Sequence, residues 1–425
     1  MNSKLQAISS FLTERKERLK PEEANELNLK RIEKIDFSGQ IHLVENKPTK
    51  TGMIIVKKGD LVISGINVAK GALAVYEGDE DVVATIHYSS YSFDKEKIDI
   101  NFLKWFLKSP VFVDALEEQT GGGIKTEIKA KKFLSLKIPI PTLGEQKNIE
   151  SNLNKFEEKY NKVSEELQRQ LGLINKLRSS ILSDAIHGKL TYEWRKNTTI
   201  NDEMICKYKN NNLHTTKEDN QPFKIPNTWI WIKLDNLVNQ DRGITYGIVK
   251  MGNEPTKNGI VALRCSDVKF RRIDITNARK VTEEISSQYK RTILEGGEIL
   301  LNIRGTLGGC GIVDASLRGC NIAREIGMIP ISNSEFTDYI LNVLTSPYFN
   351  NQIKSNLRGI AYKGLNLNIL RNFPIPLPPL EEQKRIVEKV EKLMATCDAL
   401  ELEVQNSKTE AEKLMQSVLK EAFEN

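Results

Sequence analysis

The chain repeats itself at a distance of 237 residues, and that period constrains its fold more than any other feature. Leu107-Lys108-Ser109-Pro110-Val111-Phe112 returns as Leu344-Thr345-Ser346-Pro347-Tyr348-Phe349 at that offset. Pro139-Ile140-Pro141-Thr142-Leu143-Gly144-Glu145-Gln146-Lys147 returns as Pro376-Leu377-Pro378-Pro379-Leu380-Glu381-Glu382-Gln383-Lys384, again 237 residues on. Further upstream, Gly59-Asp60-Leu61-Val62-Ile63 matches Gly297-Glu298-Ile299-Leu300-Leu301 at 238, a slippage of one residue. Solenoid units run to roughly 20–50 residues. The longer period therefore means two copies of one domain-plus-helix module, and 425 residues suffice for two separate cores. Two binding modules on one chain suit a target in two parts.

After each Pro-rich entry the pattern becomes that of a long helix. The first copy places apolar residues at Ile149, Leu153, Phe156, Tyr160, Val163, Leu167, Ile174, Leu177 and Ile181, with polar Gln170 breaking the run. The second places them at Ile386, Val390, Leu393, Cys397, Leu400, Val404, Ala411, Leu414 and Val418, with Ser407 as the break. This 4-3 alternation is the seam of a coiled coil. Each seam would extend roughly 50 Å at 1.5 Å per residue, and a lone helix with one apolar stripe needs a partner. The matching stripe of the other copy is the nearest one, which predicts an antiparallel pair with Ala422 to Asn425 returning to the first domain. The alternative is that each helix packs along its own domain. Prolines 139, 141, 376, 378 and 379 hold the chain extended between domain and helix.

The pattern divides the chain into a first domain over 1–143, a long helix over 144–187, a linker over 188–221, a second domain over 222–379 and a second long helix over 380–425. The first domain reads as a charged helix at Leu5 to Lys20, strands near Met53–Val56, Gly59–Ile63, Ala72–Tyr76 and Val82–Ile86, and a helix at Asn101–Leu107. The second opens on Trp229-Ile230-Trp231-Ile232 in strand-like alternation. Strands follow near Ile260–Leu263, Ile299–Ile303 and Gly311–Val313, then a helix at Asp338–Leu344. The fold class is α+β, two mixed domains each followed by a long helix.

Charge and composition narrow the function. The chain holds 62 Lys+Arg and 56 Asp+Glu, and Pro222 to Asn372 alone carries 20 basic and 13 acidic residues. Basic surplus in a globular domain suits phosphate binding, though many intracellular proteins carry it without that use. Five cysteines with no C-x-x-C pair argue against a disulfide framework or zinc site, and no apolar run approaches the ~18 residues of a membrane span. A soluble, cytoplasmic protein is expected. No P-loop, dinucleotide fingerprint or Asn/Asp-Pro-Pro-Tyr/Phe methyltransferase signature occurs, and the four histidines lack metal-ligand spacing. Asp114 ahead of Glu127-Ile128-Lys129 is the one nuclease-like coincidence, absent from the second copy.

The copies agree where a scaffold must agree and differ in the polar segments between. Those segments supply the candidate DNA-contacting residues: Lys47, Lys50, Thr51, Ser64, Asn67, Lys70, His87, Tyr88, Tyr91 and Lys125 in the first copy. In the second they are Arg242, Tyr246, Lys250, Arg271, Arg272, Arg304, Thr306, Arg324 and Lys363. Such side chains reach phosphates and base edges, with Arg on guanine as a preferred pairing. Arg304 and Arg324 are the foremost base-reading candidates, and Lys50 and Lys70 the foremost phosphate contacts.

The order of domain, long helix, domain, long helix resembles the DNA-specificity subunit of type I restriction-modification enzymes. The two Pro-rich entries ending in Glu145-Gln146 and Glu382-Gln383 carry the resemblance, with Ala185-Ile186-His187-Gly188-Lys189-Leu190-Thr191 and the Trp229/Trp231 opening. It implies two target-recognition domains and a subunit without chemistry, catalytic residues, cofactor or metal of its own. It also implies double-stranded DNA, two methyltransferase subunits and motor-nuclease subunits as partners. Those partners would use S-adenosylmethionine for adenine N6 methylation, and ATP with Mg2+ for translocation and cleavage. The first domain departs from the pattern in lacking the Trp-rich opening. A coiled-coil-linked metal-dependent nuclease and a protein-binding scaffold stand as alternatives.

Overall fold

In the computed structural model, residues 4–37, 39–45, 48–67, 72–120, 129–199, 203–210, 221–357 and 364–424 are described. They fall in two compact units, one of Met1–Arg169 with Val404–Asn425, the other of Gln170–Glu403.

Among the described residues the first unit holds three sheets. β1 (Lys4–Ala7) pairs antiparallel with β11 (Lys137–Ile140). A four-stranded sheet runs β2 (Leu12–Glu14), β10 (Tyr88–Phe93), β7 (Leu61–Ser64), β8 (Leu73–Val75). A five-stranded sheet runs β3 (Arg18–Leu19), β6 (Met53–Val56), β9 (Val82–Thr85), β4 (Arg31–Ile35), β5 (Ile41–Val44), with β4 and β9 parallel. Helix α1 (Pro21–Glu26) links β3 to β4, and α2 (Ile100–Lys108), α3 (Pro110–Thr120) and α4 (Ala130–Ser135) lie between β10 and β11. Helix α5 (Leu143–Ile186) begins in this unit.

The expected helix at Leu5 to Lys20 is absent. That segment is β1, a 3₁₀ turn, β2 and β3, with Ile8, Phe11 and Leu12 buried and Leu5 exposed. Its charges and the i, i+3, i+7 spacing of Leu5, Ile8 and Leu12 suggested a helix. Pairing with β11 and β10 decides the conformation instead.

The second unit continues α5 into α6 (Tyr192–Lys196) and α7 (Glu203–Asn210). β12 (Ile230–Lys233) pairs antiparallel with β22 (Pro374–Leu377), as β1 does with β11. The first domain thus opens on the same strand as the second without its tryptophans. A four-stranded sheet runs β13 (Thr245–Tyr246), β21 (Ile326–Ile329), β18 (Ile299–Asn302), β19 (Cys310–Ile312). A three-stranded sheet runs β17 (Arg279–Val281), β14 (Ile260–Leu263), β20 (Asn321–Ile322), and β15 (Val268–Lys269) forms a hairpin with β16 (Arg272–Ile273). The remaining helices are α8 (Glu283–Ser287), α9 (Thr337–Leu344), α10 (Pro347–Leu357), α11 (Leu367–Arg371) and α12 (Leu380–Glu424).

The repeated motifs are the devices that make the two domains alike. In the Ser-Pro corner, Ser109 Oγ donates to Phe106 O at 2.7 Å and accepts from Phe112 N–H, ending α2 and starting α3. Ser346 makes the same pair of bonds with Val343 and Phe349. Proline follows at the first helical position, where no N–H is needed. The glutamine of the Pro-rich entry is equally fixed. Gln146 Nε2 donates to Pro141 O at 2.9 Å, and Gln383 Nε2 to Pro378 O at 2.8 Å, each folding the first helical turn back onto its proline strand. Gly59 and Gly297 take φ of 83° and 87°, a region open to glycine, and donate to Tyr76 O and Val313 O. Beside them lies a buried carboxylate on an arginine: Asp60 on Arg15 at 2.6 Å, and Glu298 on Arg242 at 2.6 Å.

The long helices run antiparallel in each unit. In the first, Ile149 and Leu153 of α5 pack with Leu419 and Phe423 of α12, and the Phe423 ring meets Phe102 and Phe106 edge-on. In the second, Arg178 of α5 bridges Asp398 and Glu401 of α12, and Lys389 reaches Leu190 O. The seam departs from strict heptads. Val163, Leu177, Leu393, Leu400 and Leu414 are 39–55% exposed, whereas Met394 is buried and Arg178 and Met415 are half-buried. Buried positions step from Ile386 through Val390 and Met394 to Cys397, eleven residues. An 11-residue step is 3.67 residues per turn, close to an unsupercoiled helix, whereas a heptad seam drifts about 20° per repeat.

Candidate nucleic-acid interface

One backbone frame carries the polar loops in both domains. In the second, Ile303 N–H donates to Glu325 O at 2.8 Å and Asn302 N–H to Gly309 O at 2.8 Å. In the first, Gly65 N–H donates to His87 O at 2.9 Å and Ser64 N–H to Ala72 O at 3.0 Å. These are the same positions after the repeat offset. What the frame presents differs: Arg304, Arg324 and Glu325 in one copy stand where Ile66, Ile86 and His87 stand in the other.

In the second domain the frame gathers residues far apart in sequence. Arg324 N–H donates to Ile248 O, β13 places Tyr246 opposite Gly327, and Leu365 N–H donates to Ile303 O beside the Arg304–Gly364 bridge. Asn302, 2% exposed, donates from Nδ2 to Cys265, Val268 and Thr306 carbonyls and so holds the Arg304-Gly305-Thr306 turn on the β15 side. Gly305 takes φ of 71°, which lets that turn close. The backbone thus brings Tyr246, Arg304, Thr306 and Arg324 into one region, in which Tyr246 is 45% exposed, Thr306 and nearby Lys250 are exposed, and Arg304 and Arg324 are half-buried.

In the first domain, His87 and Tyr88 line a cleft of about 490 Å³ between the four- and five-stranded sheets. Glu14, Arg15, Arg18, Ile54, Lys129 and Lys131 complete much of its wall. Burial raises the Tyr88 phenol above its usual range, opposed by its bond to the Ile35 backbone. Arg18, Lys129 and Lys131 escaped the sequence reading. The runs Arg15-Lys16-Glu17-Arg18 and Lys129-Ala130-Lys131-Lys132 are visible as basic clusters, but nothing one-dimensional brings them together.

Several candidates are not available to a ligand. Tyr91 is 1% exposed and packs on Phe133; burial pushes its phenol up to about 12. Arg242 is committed to Glu298, Glu295 and Ile293 O. Arg271 takes φ of 58° and turns inward to Asn342 Oδ1 and Thr345 Oγ1, with burial lowering its pKa. In each case a partner distant in sequence, not residue type, fixes the side chain. Ser64 is 6% exposed at the frame itself, and Asn67 closes its loop by accepting from Ala72 N–H. Lys50 and Thr51 are exposed between β5 and β6, and Arg272 is exposed on β16. Lys47, Lys70, Lys125 and Lys363 lie outside the described residues, as do Glu127 and Ile128 of the nuclease-like set. Among the described residues no group of three His, Cys, Asp or Glu side chains could hold a metal, and no helix is long and apolar enough to cross a membrane.

A shared frame with divergent polar loops is what a pair of sequence readers requires, and comparison with known proteins names the family. The model of the type I restriction modification DNA specificity domain matches residues 13–172 and 205–408. The chain belongs to this specificity family. The EcoBI specificity subunit of Escherichia coli is 30% identical over 315 residues, 74% of this chain and 63% of that subunit. The EcoDI specificity subunit of Escherichia coli is 24% identical over 335 residues, 79% of this chain and 71% of its own length. The match thus spans about two thirds of these relatives. A solved type I restriction-modification chain, described for complex assembly and conformational transition, has the same fold with TM-score 0.60, at 16% identity and covering 99% of this chain and 97% of that one.

Proposed function

We propose that this specificity-family chain is a non-catalytic DNA-recognition subunit that reads an asymmetric target in two parts, one per domain. The paired frame supports this most directly: the same backbone bonds hold Ile66 and His87 in one domain and Arg304 and Glu325 in the other. A repeat that only held protein partners would have no physical reason to keep the frame and vary the presented side chains. Arg304 and Arg324 read base edges in the second half-site, with Tyr246, Thr306, Lys250 and Arg272 beside them. Lys50 and Thr51 contact the first half-site from their exposed connection. Half-site centres about one helical turn apart, roughly 34 Å, suit two readers on one DNA face.

Methyltransferase subunits dock on the long helices, with motor-nuclease subunits joining that core. S-adenosylmethionine, ATP and Mg2+ belong to those partners, and the cytoplasm is the compartment. Mapping methylated adenines in cells with wild-type chain and with Arg304→Ala tests the reading. Specificity should relax only in the half-site of the second domain, by about 1–3 kcal/mol for a bidentate guanine contact. A recognition sequence that is one unbroken palindrome would refute two independent readers.

A further inference from the structure

The cleft of the first domain differs from the matching place in the second in a way that changes what it can hold. Its cations are Arg15, Arg18, Lys129 and Lys131, with His87 on the wall and Glu14 the acidic residue lining it. Arg15 is already spent on buried Asp60. Arg18, Lys129 and Lys131 are exposed and make no ion pair with the described carboxylates. Three uncommitted cations thus face one carboxylate across a concave surface.

The repeat offset identifies what replaces them. Lys129 and Lys131 correspond to Asn366 and Asn368 at 237 residues, and Arg18 to Thr245 when counted from the equivalent arginines Arg15 and Arg242, each of which pairs with the buried carboxylate of its own domain. Asn366 turns its side chain back onto Asn368 N–H. Ala130 and Ser89 of the cleft correspond to Leu367 and Gly327. Leu367 Cδ2 comes within 3.7 Å of where a Cβ on Gly327 would stand, so the larger side chain lies across this place. At these three cationic positions the second domain has neutral side chains with Leu367 across the place, and its one gained cation, Arg324, stands where Ile86 lines the cleft.

We infer that the cleft of the first domain holds a phosphate group of the DNA backbone, through Arg18, Lys129 and Lys131, and that the second domain has no equivalent anchor. The inference rests on the DNA-recognition reading above. The cleft begins at His87, whose carbonyl anchors the Gly65 loop, so the anchored phosphate lies beside the first half-site. The first half-site is then held more by charge, and the second more by base contacts from Arg304 and Arg324. The alternative source of the same chemistry is a free nucleotide or inorganic phosphate.

The test measures DNA affinity of the full chain against salt, using a duplex that bears the methylated target. Wild-type chain is compared with Arg18→Gln/Lys131→Gln, and with Lys95→Gln beyond the far end of β10 as a charge control. Releasing about 0.9 counterions per phosphate contact, the double variant should lose one to two units of slope in log affinity against log salt. Methylphosphonate substitution at one phosphate of the first half-site should weaken wild type and leave the double variant unchanged. An unaltered slope in the double variant, or equal loss with Lys95→Gln, overturns the anchor. ATP or phosphate at constant ionic strength, protecting Lys131 from acylation where DNA does not, would make this a free-phosphate site and also overturn it. Failure of wild type to retain any duplex would sink the recognition reading instead.

Discussion

Glu382 offers the sharpest test of how one motif does two jobs. It is the repeat counterpart of Glu145, yet it is wholly buried, while Glu145 is half-buried. Glu145 only caps its own helix, accepting from Thr142 N–H at 2.9 Å and Thr142 Oγ at 2.8 Å. Glu382 accepts from Thr191 Oγ at 2.6 Å and Trp229 Nε1 at 2.8 Å, and pairs with the Arg195 guanidinium. Arg195 in turn donates to Gly188 O, so this carboxylate ties the end of α5, α6 and the start of β12 to α12. Glu382→Ala would leave Arg195 buried without its counter-charge and strand two donors. Breaking a buried pair costs about 3–5 kcal/mol, and the 14% exposure of the Arg195 side chain points to the lower end of that range. For a denaturant slope of about 3 kcal/mol/M, the urea midpoint should fall by about 1 M. Tryptophan fluorescence is well placed to follow it, because Trp194, Trp229 and Trp231 all lie in the second unit. Arg195→Ala added to Glu382→Ala should recover part of the loss, since the orphaned charge is then gone. A midpoint for Glu382→Ala no lower than that of Glu145→Ala would refute the argument.

The helix seam makes a second prediction. Val390→Asp places a charge where exposure is 0%, at a cost of several kcal/mol, and should collapse the thermal transition followed by circular dichroism. Leu400→Asp, at a position 40% exposed, should leave that transition nearly unchanged; equal damage from both would mean the heptad seam was the true one. Acid stability makes a third. Burial pushes the Asp60 carboxyl up, but hydrogen bonds from Arg15, Lys57 N–H and Ser90 outweigh it and hold the pKa below the usual carboxylate range. A depressed folded pKa contributes stability above the unfolded value of about 3.9, lost as pH falls through the folded one. Asp60→Asn should therefore be less stable at neutral pH and show a flatter loss below about pH 4. Parallel urea midpoints for the two proteins across that window would count against the pairing.

The sequence alone determined whatever depends on local periodicity and on repetition. The 237-residue offset announced two equivalent domains, and strands such as Met53–Val56 and Ile260–Leu263 lie where their short apolar runs placed them. The proline-rich entries signalled long helices, which run over Leu143–Ile186 and Leu380–Glu424. A helical stripe was legible too, but not whether it would follow 3.5 or 3.6 residues per turn, because Leu393 and Met394 both offered an apolar side chain. Only tertiary structure decided which polar residues face outward. Arg242 and Arg304 are indistinguishable as letters, yet Glu298 lies 56 positions beyond Arg242 and captures its side chain, while the backbone of Arg304 is held by Glu325 O and its side chain is half-buried. Arg18 and Lys129 are 111 positions apart and share one cleft. Strand register sets such encounters: Tyr91 opposite Glu14 and Tyr88 opposite Ser64 send one tyrosine to the core and the other to the cleft. Register depends on the pairing energy of whole sheets, and no local window of the sequence contains it.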